Sequence, residues 1–363
     1  MRVRVAMIIR CDGLGGAERS VRDLAAALDR EQFDVRFYYL LSPPGPFAKE
    51  IASLGYRVEN LHWRNGFSLA GRWRLLRALR RFHPMIIHDH IIPPFTRPLV
   101  KLACRRPVLH TEHGVAMRHA AGRERWRRLV VRFDLCFCNR VLANSLATRE
   151  AVLQAYRFPE SRTQVLYPGI DLQRFRPAAR TAADRSRHRI GFVGRILNRQ
   201  KGADYLPHVA RALIDLGRQD IEFVVVGDGA DRTALESLCE RMEVSHLFTF
   251  LGFRSDVESL LNTFDVLLVP SRFEAFGLSG LEALAVGVPV VAFDVGGLSE
   301  GVGKCDAAHL VPPGDVDAMA RAIISILDSP RVRSHTSRAY VQTRFSSQRM
   351  ASDLQRVYRE YAS

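Results

Sequence analysis

A chain of 363 residues, 47% of them hydrophobic, carries enough apolar side chains for two domain cores, and no stretch has the composition of disorder. No apolar run approaches the ~20 residues of a membrane span, residues 5–9 are too short for a signal-peptide core, and six scattered cysteines read as reduced thiols. The net charge of +15 is one-sided: residues 1–177 hold 31 Lys+Arg against 15 Asp+Glu and residues 178–363 hold 22 against 23, so an anionic partner is expected for the first half.

In chain order, a strand over 2–9 runs into Asp12-Gly13-Leu14-Gly15-Gly16-Ala17-Glu18-Arg19 and a helix over 21–28. Gly15 and Gly16 let the backbone approach a ligand, or simply make a tight turn; the spacing is not G-x-G-x-x-G. Strands over 35–41, 56–61, 85–89 and 108–111 alternate with helices near 47–54, 69–82 and 98–104, the grammar of a parallel sheet with helices on both faces. The arginine-rich helix over 71–82 reads as a cover for that sheet, with Trp73, Leu76 and Leu79 on one face. His88-Asp89-His90 and His110-Thr111-Glu112-His113-Gly114 end two strands, the edge where such sheets bind ligands. His113 is placed there as a ligand-edge residue or as an ordinary hydrogen-bonding histidine; the histidine spacing makes no closed metal set. Over 117–133, Arg118, Arg123, Arg125, Arg127, Arg128 and Arg132 surround Trp126, Leu129, Val130 and Phe133, a pattern that suits an anionic interface or a solvated surface helix. Residues 176–188 are polar and mark the linker.

The second half restarts the same grammar. A strand over 189–193 ends in Gly194-Arg195, and Asn198-Arg199-Gln200-Lys201-Gly202 precedes a helix over 203–216. Arg195 and Lys201 are cations that would offset a diphosphate. Strands over 223–226 and 247–251 follow, and then the most informative stretch. A strand over 265–269 leads through Pro270-Ser271-Arg272-Phe273-Glu274-Ala275-Phe276-Gly277 into an apolar helix over 278–286 and a strand over 289–292. The amides at the start of that helix (Phe276, Gly277, Leu278) favour an anion. Glu274 stands just before it, placed to accept from hydroxyls, while Glu282 inside the helix is costly unless a donor meets it. A sugar hydroxyl or an arginine would serve. Helices over 316–327 and 346–361 close the chain.

Taken together and in order, Gly15-Gly16-Ala17-Glu18, Thr111-x-His113-Gly114, Gly194-Arg195 with Lys201-Gly202, Gly227-Asp228-Gly229 and Glu274-x7-Glu282 resemble the retaining glycosyltransferases of family 4 (glycosyltransferase group 1) along nearly the whole chain. The resemblance implies the α/β GT-B fold: two Rossmann-like domains facing a central cleft, residues 1–177 for the acceptor and 186–345 for the nucleotide-sugar donor, with 346–363 crossing back to the first. It implies that Arg195 and Lys201 bind the donor diphosphate, that Glu274 holds sugar hydroxyls, that the amides of Phe276, Gly277 and Leu278 meet sugar and phosphate oxygens, and that Glu282 binds the ribose. Gly15 and Gly16 would approach the donor, and His113 the reacting face of the sugar. No metal or other cofactor is expected, and no Asp-x-Asp occurs. One departure is Ser299 in Gly296-Gly297-Leu298-Ser299-Glu300, where the family often has proline, which puts that turn's rigidity in question.

The expected partners are a nucleotide-sugar, with a UDP-sugar favoured, and a glycan or lipid-linked acceptor of cell-surface polysaccharide or glycolipid synthesis. The basic first half adds an anionic membrane surface met through Arg118, Arg123, Arg125, Trp126, Arg127 and Arg128, on the cytoplasmic side. A sugar-nucleotide epimerase or phosphorylase on the same fold is disfavoured by the paired glutamates. A nucleic-acid-binding protein is disfavoured because the phosphate site falls in the neutral half.

Overall fold

The computed structural model of the protein describes residues 2–10, 15–41, 45–63, 68–90, 92–114, 125–178, 187–329 and 335–362. The chain divides into two units, Met1–Gly169 with Ser346–Ser363, and Ile170–Phe345.

The first unit is a seven-stranded parallel sheet: β1 (Val3–Ile9), β2 (Phe33–Leu41), β3 (Arg57–Trp63), β4 (Ile86–Asp89), β5 (Val108–Glu112), β6 (Arg140–Ala143) and β7 (Thr163–Val165), in the order β3-β2-β1-β4-β5-β6-β7. Near-continuous apolar strands such as β1 are what a sheet buried on both faces requires. Val5, Met7 and Ile9 enter one core with the helices Gly16–Ala27, Pro46–Ser53 and Ser347–Ala362. The alternate residues Ala6 and Ile8 enter a second core with the helices Leu69–Phe82, Thr96–Cys104, Arg125–Leu135 and Leu146–Tyr156. The last helix of the chain is thus a core element of the first unit: Met350, Leu354, Val357 and Tyr358 are all buried, and the Tyr358 hydroxyl lies 2.7 Å from Nδ1 of His88 on β4.

The second unit is a six-stranded parallel sheet: β8 (His188–Val193), β9 (Ile221–Val226), β10 (Phe248–Gly252), β11 (Val266–Val269), β12 (Val290–Phe293) and β13 (Ala308–Val311), in the order β10-β9-β8-β11-β12-β13. The helices Tyr205–Asp215 and Val316–Asp328 bury Leu206, Val209, Leu213, Met319 and Ile323 over it. Strand order reverses between β8 and β11 here, and between β1 and β4 in the first unit. Both units are therefore doubly wound, Rossmann-like sheets, the pair of domains that defines the GT-B class, and ligands of such sheets sit at the strand ends beside the reversal.

Three expectations need correction. The division falls at Gly169–Ile170 and not at residue 177, because residues 170–178 are tied to the second unit. Ile170 N–H donates to Phe345 O, Arg338 donates to the carbonyls of Leu172 and Phe175, Arg174 pairs with Glu258, and Ala178 N–H donates to Asn262. The first helix begins at Gly16, five residues before the apolar pattern that marked it. In Leu69–Phe82 the sheet-facing residues are Leu75, Ala78, Leu79 and Phe82, while Trp73 is 60% exposed, so Trp73 and Leu79 do not share the buried face.

Candidate active site

The β8–β11 reversal of the second unit brings together most of the donor-side residues. After β8, Gly194 N–H donates to Val226 O at 3.0 Å and Ile196 N–H to Asp228 O at 3.0 Å, so the chain continues along β9 before turning. A one-turn helix, Asn198–Lys201, follows and ends on Gly202 at φ +61°. A Cβ on Gly202 would lie 2.0 Å from Pro270 O, so only glycine allows this turn to press against the exit of β11.

That approach sets the central contact. Lys201 Nζ donates to Glu274 Oε1, which also accepts from Ser271 Oγ at 3.1 Å. The Lys201 stem passes over Gly194, where a Cβ would meet its Cδ at 3.8 Å. Glu274 is 6% exposed and Glu282 2% exposed, whereas Arg195 is exposed at the end of β8 and meets no carboxylate among the described residues. A cation on the turn after β8 and a carboxylate on the loop after β11 can hold a negatively charged group and a hydroxyl-bearing group side by side.

Arg272 is a positioning residue that sequence reasoning passed over. Its guanidinium grips Asp204 through both carboxylate oxygens at 2.6 and 2.7 Å, donates to Asn198 O at 2.7 Å and covers the Tyr205 ring at 4.2 Å. Its own N–H donates to Gln200 O at 3.0 Å. The residue two before Glu274 thereby clamps the turn that carries Lys201. The sequence signal was a single cation two residues before Glu274 in the loop that leaves β11.

Beyond Glu274, Gly277 stands at φ +84° and leads into the helix Leu278–Ala285; a Cβ on it would lie 2.0 Å from Leu298 Cδ1. The Phe276 ring faces Phe345, with ring centroids 5.3 Å apart, and is 2% exposed. The turn with Ser299 is tied down without proline: Gly297 N–H donates to Glu274 O at 3.0 Å, and the Ser299 hydroxyl donates to Asp294. At the neighbouring strand ends, Phe253 after β10 is 61% exposed, and Gly229 after β9 packs so closely on Ile196 O that a Cβ would lie 2.1 Å from it.

In the first unit, His113 follows β5 and lines a narrow notch with His90, Thr111 and Asn144 and with Ser20 and Leu24 of the helix that starts at Gly16. Nε2 of His113 lies 3.1 Å from Nδ1 of His90. Gly15 is the extended residue capping that helix, and Asp12, Gly13 and Leu14 lie outside the described residues. His88 bridges Tyr358 and Thr111 at 2.7 Å each and is a structural residue. Among the described residues no cluster of His, Cys, Asp and Glu could hold a metal ion. Of the basic segment, Arg118 and Arg123 lie outside the described residues, and Arg125 is described as backbone only. Trp126, Arg127 and Arg128 stand on the helix Arg125–Leu135, with Trp126 64% exposed.

Burial pushes His88 down to about 3 and His113 down to about 4, and it holds His90 well below the usual value. These groups stay neutral in the fold but protonate in the unfolded chain below its ordinary histidine value. The unfolded state then binds more protons, and stability falls as pH drops from about 6.5. His110 opposes this. Burial and Arg97 press on it, yet Asp89 and Glu112 lift it above its usual value, so it adds stability as pH falls. The downward-shifted histidines outnumber it, and the melting temperature is expected to fall steadily between pH 6.5 and 4. His88→Asn should flatten that slope by about 1.4 kcal/mol per pH unit. An unchanged slope in urea melts across this range would contradict a neutral buried His88.

The family model described as Glycosyltransferase Family 4 matches residues 14–174, and the one described as Glycosyl transferases group 1 matches residues 187–329. The chain is 40% identical over 143 residues to a 2-deoxystreptamine glucosyltransferase of Streptomyces kanamyceticus, a match that spans 39% of this chain and only 36% of that protein. It is 30% identical over 283 residues to a 2-deoxystreptamine N-acetyl-D-glucosaminyltransferase of Streptomyces fradiae, spanning 72% of this chain and 67% of the relative. Among solved structures, Anabaena Alr3699/HepE in complex with UDP-glucose superposes with a TM-score of 0.80 at 20% identity, over 99% of this chain and 100% of that one.

Proposed function

The chain belongs to the group 1 glycosyltransferases of family 4, and from that premise we propose that it transfers a sugar, with retention of anomeric configuration, from a nucleotide-sugar to a glycan or lipid-linked acceptor. The observation that carries this reading is the Lys201–Glu274–Ser271 cluster at the β8–β11 reversal. Lys201 and Arg195 oppose the charge of the donor diphosphate, and the amides of Gly277 and Leu278 add the partial positive charge of a helix start. Glu274 turns from Lys201 to the hydroxyls of the transferred sugar, and Glu282 takes the ribose. The bond from the anomeric carbon to the diphosphate oxygen breaks, and a bond from that carbon to the acceptor oxygen forms on the same face. The acceptor proton passes to the departing diphosphate. Fixed charge aimed at the leaving group is the main source of rate in such a site. Because Lys201 and Arg195 take the part a divalent ion would play, no metal is required.

UDP-sugars are the favoured donors. The solved relative of the same fold holds UDP-glucose, and the streptamine-modifying relative carries N-acetylglucosaminyltransferase in its name, so a hexose or an N-acetylhexosamine fits the reading. The acceptor reading rests on the charge of the first half: an anionic, lipid-linked or polyanionic glycan at the inner face of a membrane.

A thermal-shift panel tests the donor half. UDP, GDP and ADP at about 100 times their dissociation constants should each stabilise a matching site by about 2.7 kcal/mol, which for units of this size raises the melting temperature by several degrees, on the order of 5 °C. One base should dominate, the shift should persist with chelator, and Glu282→Ala should abolish it. No shift with any nucleotide would remove the donor assignment. A shift that needs added divalent metal would remove the metal-independent mechanism.

A further inference from the structure

The helix layer that packs on the second core of the first unit has an unusual outer surface. Among the described residues, every exposed large hydrophobic side chain of that unit belongs to this layer's four helices or caps one of them. Trp73 is 60% exposed, Leu102 71%, Trp126 64% and Leu129 65%, and Phe133 joins the set. The opposite layer (Gly16–Ala27, Pro46–Ser53 and Ser347–Ala362) shows none.

On the first three of the layer's four helices the outward charge is positive, while the fourth, Leu146–Tyr156, carries Arg149 beside an exposed Glu150. Leu69–Phe82 exposes Arg77, Arg80 and Arg81, with Arg74 half-buried and Arg72 buried, and has no acidic residue; Thr96–Cys104 likewise has none. In Arg125–Leu135 the sole acid, Asp134, is buried on Arg97 and so contributes nothing outward. Guanidinium groups lie over the exposed indoles, Arg77 at 5.4 Å from Trp73 and Arg127 at 5.3 Å from Trp126. Successive helices of the layer touch, and the Phe95 and Phe133 rings meet at 6.1 Å, which joins the second helix to the third.

We infer that this layer is a docking face for an anionic lipid bilayer. Indole and aliphatic side chains enter the headgroup boundary while arginines meet lipid phosphates. The face is wider than the basic segment legible in the sequence, since it adds Trp73 and Leu102 from two earlier helices. No described helix is long and apolar enough to cross a membrane, so the contact is peripheral. A second copy of the chain is a poor occupant, because two arginine-rich faces would be brought together. The inference deepens the proposal that the acceptor lies at a membrane and rests on it.

The test uses the full chain in flotation with phosphatidylcholine vesicles and with vesicles that include phosphatidylglycerol. Partition onto the anionic vesicles should exceed that onto the neutral ones by about 10-fold or more, and should fall as salt is raised. The triple variant Trp73→Ser, Leu102→Ser, Leu129→Ser should lose about 10-fold or more of it, with its melting temperature and its UDP response unchanged. The single variant Leu102→Ser covers the case in which the triple variant folds poorly. Equal partition of variant and parent, or no preference for anionic vesicles, overturns the inference. So does binding of a random oligonucleotide, or concentration-dependent dimerisation, that the same substitutions abolish in place of vesicle binding. Sugar transfer to a water-soluble acceptor without vesicle binding would sink the docking face alone. Vesicle binding without any nucleotide response would leave the docking face and sink the transferase reading.

Discussion

Replacing Lys201 with alanine is expected to lower turnover by about 10²–10³-fold, the loss seen when one fixed electrostatic partner of a developing negative charge is removed. On the proposed mechanism the ammonium group has two tasks in succession. Before the donor arrives it neutralises Glu274, which is buried at 6% exposure and, among the described residues, otherwise has the Ser271 hydroxyl as its hydrogen-bond donor. With the donor present it faces the diphosphate and frees Glu274 for the sugar. The alanine variant loses both, so the fall should appear mainly in kcat. The Lys201→Arg variant keeps the charge but carries a planar fork on a stem that crosses Gly194 closely, and should recover only part of the rate. Glu274→Gln in the lysine-free background should add little further loss, because the two residues act as a unit. Steady-state kinetics with the nucleotide-sugar found by thermal shift decides this. Near-normal turnover in Lys201→Ala would show that Lys201 is a structural partner of Glu274 and nothing more.

The second large effect lies in the first unit and concerns stability. Arg97 is buried, binds two carboxylates at once and lies beside a histidine. It reaches Asp89 through two nitrogens at 3.0 and 2.7 Å, Asp134 at 2.5 Å, and lies 2.9 Å from Nδ1 of His110, which itself donates to Asp89 at 2.7 Å. Burial would raise Asp89, yet Arg97 and His110 hold it below the usual carboxylate range; burial raises Asp134 in spite of Arg97. Arg97→Met removes the guanidinium that joins two buried carboxylates. It should cost about 3–5 kcal/mol, the range for breaking one side of a buried ion pair. Urea unfolding followed by a probe in the first unit measures it. Adding Asp89→Asn and Asp134→Asn to Arg97→Met should restore a good part of the loss, since the unpaired charges are what make the single variant unstable. A loss under about 1 kcal/mol for Arg97→Met would mean that water reaches the cluster and screens it.

These two clusters also mark where sequence reasoning reached its range. Most strands and most long helices were legible because their signals are local: the apolar run of β11, the glycine-bounded helix Leu278–Ala285, the polar outer face of Val316–Asp328. The short strands β7 and β13 and the helix Arg232–Arg241 were not read. The helix His335–Phe345 was not legible, because it has few apolar residues and is held by side-chain bonds to carbonyls elsewhere. Ser337 donates to Leu284, and Arg338 to Leu172, Phe175 and Ala285. Lys201 and Glu274 were each legible as members of a motif. Their direct pairing across 73 residues was not, because it depends on the close approach that Gly202 permits. Arg97 left no signal, since nothing near it in sequence shows that a cation turns inward.

The helix Ser347–Ala362 completes the core of the first unit after the whole second unit has intervened in the chain. Synthesis on the ribosome therefore inverts the usual sequence of events. Domains commonly finish folding in the order in which they emerge, but here residues 170–345 are a continuous unit that can close first. The opening sheet waits, with the surface meant for Leu354, Val357 and Tyr358 uncovered, until the final turns of helix leave the exit tunnel.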